Sequence, residues 1–188
     1  MKKYAAEFAG SFAIVLFGTG AAILNAGQIG VAISFGLIVF LVITFFGNWS
    51  DAHFNPAVTI AFALVNWFPK KLVLSYIILQ VAGAITASLF LKMIFPGSEN
   101  LGATNPSGSI LQSFLLEILL TFFLTMVIMK ISHGPSDTGL YAAIAVGSTV
   151  LLEACSTGPT SGASMNPATS RGPTVVPGCA PNPSAIRH

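Results

Sequence analysis

The sequence of 188 residues is 54% apolar and 7% charged, with a mean hydropathy of +0.81, whereas soluble domains carry about 25% charged residues; the chain is therefore solvated by lipid. Its net charge of +2 is small and scattered and gives no footing for a nucleic-acid partner. Cys155 and Cys179 have no Cys or His at ligand spacing, so they read as free thiols rather than as a disulfide framework or a metal site, and no cofactor is expected.

A helix crosses a hydrocarbon core of about 30 Å with roughly 20 apolar residues. Five such runs are predicted, at 4–24, 29–46, 72–94, 110–129 and 139–157. The first follows Lys2 and Lys3, as the apolar core of a secretory signal would. It is longer than a usual signal core and contains Glu7, so it reads as a retained span. With the N-terminus in the cytoplasm, Lys2, Lys3, Lys70, Lys71 and Lys130 fall on the cytoplasmic side, and Lys92 falls outside. That asymmetry predicts a cytoplasmic N-terminus in a multi-pass protein of a cell membrane, plasma or inner.

Between the second and third runs lies "DAHFNPAVTIAFALVNW", whose apolar part is too short to cross a bilayer. Asn55 suits an N-cap and Pro56 the first helical position, where the missing N–H would have no partner in any case. A short helix is expected over 54–65, beginning at Asn55, Pro56 and Ala57. After the fifth run, "SGASMNPATSRGP" repeats the motif at Asn166, Pro167 and Ala168 and predicts a second short helix over 166–176. Asn-Pro also marks ordinary turns. Asn105-Pro106 and Asn182-Pro183 read that way, because no apolar helix follows either.

The repetition extends beyond the tripeptide. Glu7 precedes Asn55 by 48 residues and Glu117 precedes Asn166 by 49; "AISFG" and "AIAVG" each end 19 residues before their asparagine. The chain divides into a first repeat over 1–95, with three spans and a half-helix, and a second over 110–176, with two spans and a half-helix. An odd number of spans separates equivalent points, so the repeat is inverted. Short helices at membrane depth are tolerated where they are buried in protein or line a watery cavity. Two entering from opposite faces meet N-terminus to N-terminus, each carrying about half a positive charge. Their meeting point repels cations, while the Asn55 and Asn166 carboxamides donate hydrogen bonds to a neutral solute.

The stretches "AEFAGSF", "AHFNPAVTIAFAL", "YIILQVAGA" and "GPTSGASMNPA" resemble the major intrinsic protein family, the aquaporins and glycerol facilitators, over about residues 4–176. The resemblance implies an all-α membrane protein, an inverted repeat of transmembrane helices with two re-entrant half-helices. It also implies a homotetramer surrounded by lipid, with a pore for water and small neutral solutes in each subunit. "SGASMNPA" is similar to the nodulin-type members, which implies glycerol or uncharged metalloid acids among the solutes. By the same resemblance, Glu7 and Glu117 brace the re-entrant loops, and the narrow filter is formed by Phe35, Ala154, Ala163 and the residue after the second Asn-Pro-Ala. The family places arginine there, and this chain has Thr169. Arg171 is no direct replacement, since two residues turn about 200° around a helix. A wide filter is expected, less selective for water and weaker at excluding cations.

A second departure lies at the end. The family has a sixth span, yet after Asn166 only 22 residues remain, in which Pro173, Pro177, Pro181 and Pro183 forbid a long helix, and 177–188 reads as a proline-rich tail. A truncation, an altered reading frame or a functional variant would each account for the change of composition.

Glu153, buried in a predicted span beside Ala154, would either pair with Arg171 or stay protonated. His53 reads as a hydrogen-bonded loop residue or as a side chain at the cytoplasmic mouth. Gln80 reads as an interhelical hydrogen bond, and Gly10, Gly18, Gly83 and Ala87 as sites of close helix approach. Phe45, Phe46, Phe122 and Phe123 read as lipid-facing or core. Three classes follow: a passive channel; a non-conducting remnant of one; and an ion-coupled transporter, for which only Glu153 offers a coupling site. An intramembrane enzyme is disfavoured, because no Ser/His arrangement, Asp pair or metal cluster is visible.

Overall fold

A computed structural model describes residues 1–103, 106–132 and 139–176, with the side chain of Arg171 left out. The 177–188 tail and Asn182-Pro183 lie outside the described residues, as does Asn105. Five helices are long and apolar enough to span a membrane: α1 (Lys2–Ile23), α2 (Gly27–Ser50), α4 (Lys70–Ile94), α5 (Ile110–Ser132) and α6 (Gly139–Ser161). Two short helices, α3 (Pro56–Leu64) and α7 (Pro167–Thr174), begin at the prolines of the two Asn-Pro-Ala motifs.

The largest extensions past the predicted apolar runs are at the C-terminal ends of α2 and α6. α2 continues past Phe46 to Ser50, where Asp51 ends it in the left-handed conformation and Tyr76 Oη donates to the freed Ser50 carbonyl at 3.2 Å. α6 continues past Thr157 to Ser161, with Pro159 inside it. Pro159 has no N–H to give the Cys155 carbonyl four residues earlier. Gln28 Nε2 supplies the missing donor at 2.6 Å, so the helix survives its proline.

Glycines set the closest crossings. α2 and α6 meet at Gly36 and Gly147, where a Cβ on either would stand 2.8 Å from the other's carbonyl oxygen. α4 lies against α1 at Gly83, where a Cβ would overlap the Phe8 carbonyl. With so little water-driven attraction between helices in lipid, backbone approach of this kind is a main source of adhesion. α1 widens to a π-turn over Val15–Thr19, and Ser34 Oγ donates to Phe17 O at 2.9 Å. Gly18, within that turn, leaves room for the Phe35 ring.

α4 also crosses to the far half-helix. Ala84 and Ala87 pack with Val15 and Ala168, and a Cβ at Gly172 would stand 3.0 Å from Ser88 Oγ. About half of the polar side chains buried in this apolar bundle gather around the two short helices: Glu7, Ser50, His53, Asn55, Thr59 and Gln80 at one, Ser161 and Thr169 at the other. Phe45, Phe122 and Phe123 lie on the outer surface with many other large apolar side chains.

Candidate functional site

The loops that lead into α3 and α7 have one backbone design. Asp51, Ala52 and Phe54 have positive φ before Asn55; Gly162, Ala163 and Met165 have positive φ before Asn166. Five of these six residues carry a Cβ and are strained there, so something must hold them. Ser50 Oγ accepts from Ala52 N at 3.2 Å, and Ser161 Oγ accepts from Ala163 N at 3.1 Å.

The two glutamates, Glu7 and Glu117, supply the rest. Glu7 accepts from His53 N at 3.1 Å and Phe54 N at 2.8 Å. Glu117 accepts from Ser164 N at 3.1 Å and Met165 N at 2.9 Å, and from Ser161 Oγ at 2.9 Å. A carboxylate is the acceptor best suited to several converging N–H groups, because charge assistance roughly doubles each bond. Gln80 Nε2, from α4, donates to Glu7 at 2.7 Å and to Thr59 Oγ1 at 3.0 Å, which ties three elements together.

The loops then exchange hydrogen bonds across the centre. Asn55 Nδ2 donates to Met165 O at 2.7 Å, and Asn166 Nδ2 donates to Phe54 O at 2.9 Å. Their side-chain oxygens cap α3 and α7 by accepting from Ala57 N at 2.9 Å and Ala168 N at 3.0 Å. Each carboxamide therefore has one N–H bound to protein and a second free to meet a solute.

Three cavities run through this junction. A waist of about 110 Å³ is lined by Asn55, Asn166, Phe35, Val58, Ala163 and Thr169 among others, space for a short file of waters. It shares Phe35, Ala163, Ser164 and Thr169 with a vestibule of about 420 Å³ that also touches Ala154, Gln28 and Ser170. It shares Asp51, Ala52 and His53 with a second vestibule of about 750 Å³ on the opposite side, bounded by Thr44, Asn48 and Ser132. Asp51 is the single charged side chain among the described residues that line this path.

Phe35, Ala163 and Thr169 thus stand together where the waist opens, while Ala154 stands in the vestibule beyond them. His53 combines both of its expected settings. Nδ1 lies 3.2 Å from Thr59 Oγ1, the ring packs against Phe62, Phe68 and Tyr76, and the side chain also borders the cavities. Burial pushes its pKa down to about 4. Glu153 is buried, neither of its oxygens has a partner among the described residues, and it lines none of the three cavities. The Arg171 side chain, its expected partner, lies outside the described residues.

Sequence reasoning missed one group of side chains. Ser164 Oγ lies 3.0 Å from Thr169 Oγ1 and accepts from Ser170 Oγ at 2.5 Å. The signal was present in the repeat: 164 and 170 stand where His53 and Thr59 stand in the first loop, 111 positions earlier.

Residues 1–181 match the model of the major intrinsic protein family. Among similar proteins, Aquaporin NIP1-1 of Zea mays is 43% identical over 185 residues, covering 95% of this chain and 66% of its own length. Nodulin-26 of Glycine max is 39% identical over 185 residues, covering 95% of this chain and 68% of its own. The chain thus spans about two thirds of the length of these relatives. The X-ray structure of the aquaglyceroporin from Plasmodium falciparum superposes with a TM-score of 0.81 at 25% identity, covering 91% of this chain and 78% of that one.

Proposed function

The chain belongs to the major intrinsic protein family, and from that premise we propose that it is a passive channel for water and small uncharged solutes such as glycerol or neutral metalloid acids. The observation that carries this reading is the cavity path, whose waist is bordered by Asn55 and Asn166, each with one N–H left over. Water loses one hydrogen bond to its neighbour there and regains it from a carboxamide. A cation entering the same point loses hydration and faces the positive ends of α3 and α7.

In this reading Phe35, Ala154, Ala163 and Thr169 form the selectivity filter. Glu7 and Glu117 hold the loops whose carbonyls and carboxamides line the waist. The chain forms two repeats, 1–95 and 110–176. The subunits assemble as a homotetramer in a plasma or inner membrane, each with its own pore, and the N-terminus is cytoplasmic. Support for that orientation comes from Lys2, which stands 6.0 Å over the Trp49 ring at the end where Lys70 and Lys71 also lie. Paired tryptophan and lysine suit a membrane–water interface.

A second reading, a chain that inserts without conducting, draws on one uncovered face. α4 covers Phe12 and Leu16 of α1. Their counterparts on α5, Phe122 and Met126, are exposed, and Phe122 is 64% exposed. An ion-coupled transporter draws on less, since among the described residues Glu153 lines none of these three cavities.

Stopped-flow light scattering of proteoliposomes distinguishes these. The channel reading expects shrinkage in an impermeant osmolyte faster than in empty liposomes and with a low activation energy, then faster reswelling in glycerol. Rates equal to empty liposomes, with insertion confirmed, establish the second reading instead.

A further inference from the structure

The family's filter arginine offers five N–H donors and no acceptor. At the same place this chain has three hydroxyls, those of Ser164, Thr169 and Ser170, and their protons are already committed. Thr169 Oγ1 donates to Asn166 O at 2.9 Å. Ser164 Oγ reaches Asn166 O at 3.0 Å and Thr169 Oγ1 at 3.0 Å. Ser170 Oγ reaches Ser164 Oγ at 2.5 Å and Asn166 O at 3.3 Å. One consistent chain runs Ser170 to Ser164 to Thr169 to Asn166 O, and the alternatives also end on that carbonyl. A hydroxyl has one proton and two lone pairs. Lone pairs therefore remain for the cavity, while all three protons point into the protein.

The equivalent hydroxyl in the first loop is closed to solute. There Thr59 Oγ1 donates to Asn55 O at 3.0 Å, as Ser170 does to Asn166 O, but Thr59 is fully buried and receives Gln80 Nε2 and the His53 ring. Ser164 and Thr169 instead border both the waist and the outer vestibule, and Ser170 borders the vestibule. We propose that Ser164, together with Ser170 and Thr169, makes the outer constriction a hydrogen-bond acceptor site that selects solutes by their O–H and N–H donors.

This inference rests on the channel reading and adds a polarity to it. A solute entering from outside meets acceptors at the hydroxyl cluster and then donors at Asn55 and Asn166. Small molecules with both kinds of group, polyols and amides, remain hydrogen-bonded throughout. A solute of similar shape with fewer donors crosses the cluster underbonded, and such loss separates substrates more sharply than a change in apolar size.

The test compares urea with 1,3-dimethylurea, which has fewer N–H groups, by reswelling of proteoliposomes with equal amounts of inserted protein. The wild-type ratio of the two rates contains a size component that the variants largely share. Ser164→Ala and Ser170→Ala are expected to lower the ratio by about 3- to 10-fold, the worth of roughly one hydrogen bond. Ser164→Thr keeps the hydroxyl and is expected to restore it, which a purely structural role for Ser164 would not predict. Ser170, exposed at the rim, provides a variant with little risk to folding. Conducting variants whose ratio equals that of wild type overturn the inference alone. An inserted wild-type protein that shrinks osmotically faster than empty liposomes but passes neither solute overturns the inference alone; one whose osmotic shrinkage equals that of empty liposomes overturns the channel reading, and the inference with it.

Discussion

At the first re-entrant loop, Glu7 is fully buried and shared between two backbone N–H groups, the Ser50 side chain and, in addition, Gln80 of α4. At the second, Glu117 is partly open and takes its third donor, Ser161, from the loop's own approach. The half-helices differ in the reverse sense. α7 is covered by α4 through Ala84, Ser88 and Gly172, whereas α3 leaves Ile60 and Leu64 exposed, the latter by 74%. One helix, α4, therefore locks the first loop from behind and roofs the second half-helix. α5, which brings Glu117 to the second loop, packs Ile128 and Met129 against the cluster that holds Val58 and Phe62 of α3, and still leaves the far side of α3 open. The lesson is that an inverted repeat can hold the same loop geometry twice while the forces behind it come from different places.

The strongest way to break this comparison is to remove the two acceptors in turn. Glu7→Gln turns an amide N–H toward buried donors and is expected to cost about 3–5 kcal/mol. Glu117→Gln, with a partly open site, is expected to cost about half of that. Thermal unfolding in detergent micelles reads both, and an equal or larger loss at Glu117 would show that burial does not rank the two loops.

A second contrast lies in pH. His53 and Ser164 are repeat equivalents, but only His53 titrates. Its folded pKa is about 4 against an ordinary value of 6.5, so the unfolded chain takes up the proton first. The stability of the first loop is full above about pH 6.5 and is lost as pH falls towards 4, by up to about 3 kcal/mol. The groups around the imidazole are the Thr59 hydroxyl and the Phe62, Phe68 and Tyr76 rings. None is a carboxylate that would hold the charge. Between about pH 7 and pH 5 the unfolding temperature is expected to fall in the wild type and to fall less in His53→Gln. Identical slopes would place the sensitivity elsewhere.

Much of this arrangement was legible because it was repeated. Asn55-Pro56 and Asn166-Pro167 announced two helix starts, and Glu7 and Glu117 were marked by their spacing to those asparagines. The largest corrections concern helix ends. Past Phe46 and Thr157 hydropathy drops, yet Asp51 provides a left-handed stop and Gln28, 127 residues from Cys155, satisfies the carbonyl that Pro159 strands. A partner so distant leaves no local pattern. The exchange of Asn55 and Asn166 onto Met165 O and Phe54 O was illegible for another reason: the acceptors are backbone atoms, which every residue has. The hydroxyl cluster escaped notice because serine is common in loops, and only its register against His53 and Thr59 singles it out.

The two contacts of α4 can be loosened separately. A Cβ at Gly83 would strike a backbone carbonyl on α1, which cannot move without shifting the helix, so Gly83→Ala is expected to cost about 1–3 kcal/mol. At Gly172 the nearest atom is Ser88 Oγ at 3.0 Å, a hydroxyl that can turn aside, with Ala84 O at 3.1 Å. Gly172→Ala is expected to cost less than Gly83→Ala, and the reverse order in unfolding experiments would make the α4–α7 contact the tighter one.

Gln80 gives the smallest and most discriminating effect. Its Nε2 makes two good hydrogen bonds, but its Oε1 is buried with no partner among the described residues. Gln80→Met fills the same space, surrenders both donors and also removes that unsatisfied oxygen. Interhelical hydrogen bonds in membrane proteins average only about 0.6 kcal/mol, and removing an orphaned acceptor returns a similar amount or more. The opposing terms leave an expected net change within about 1 kcal/mol. Glu7 keeps its two backbone donors in this variant, so the loop geometry, and with it osmotic water permeability, is expected to change less than twofold. A loss as large as that of Glu7→Gln would mean that α4 holds the first loop and that the glutamate merely accompanies it.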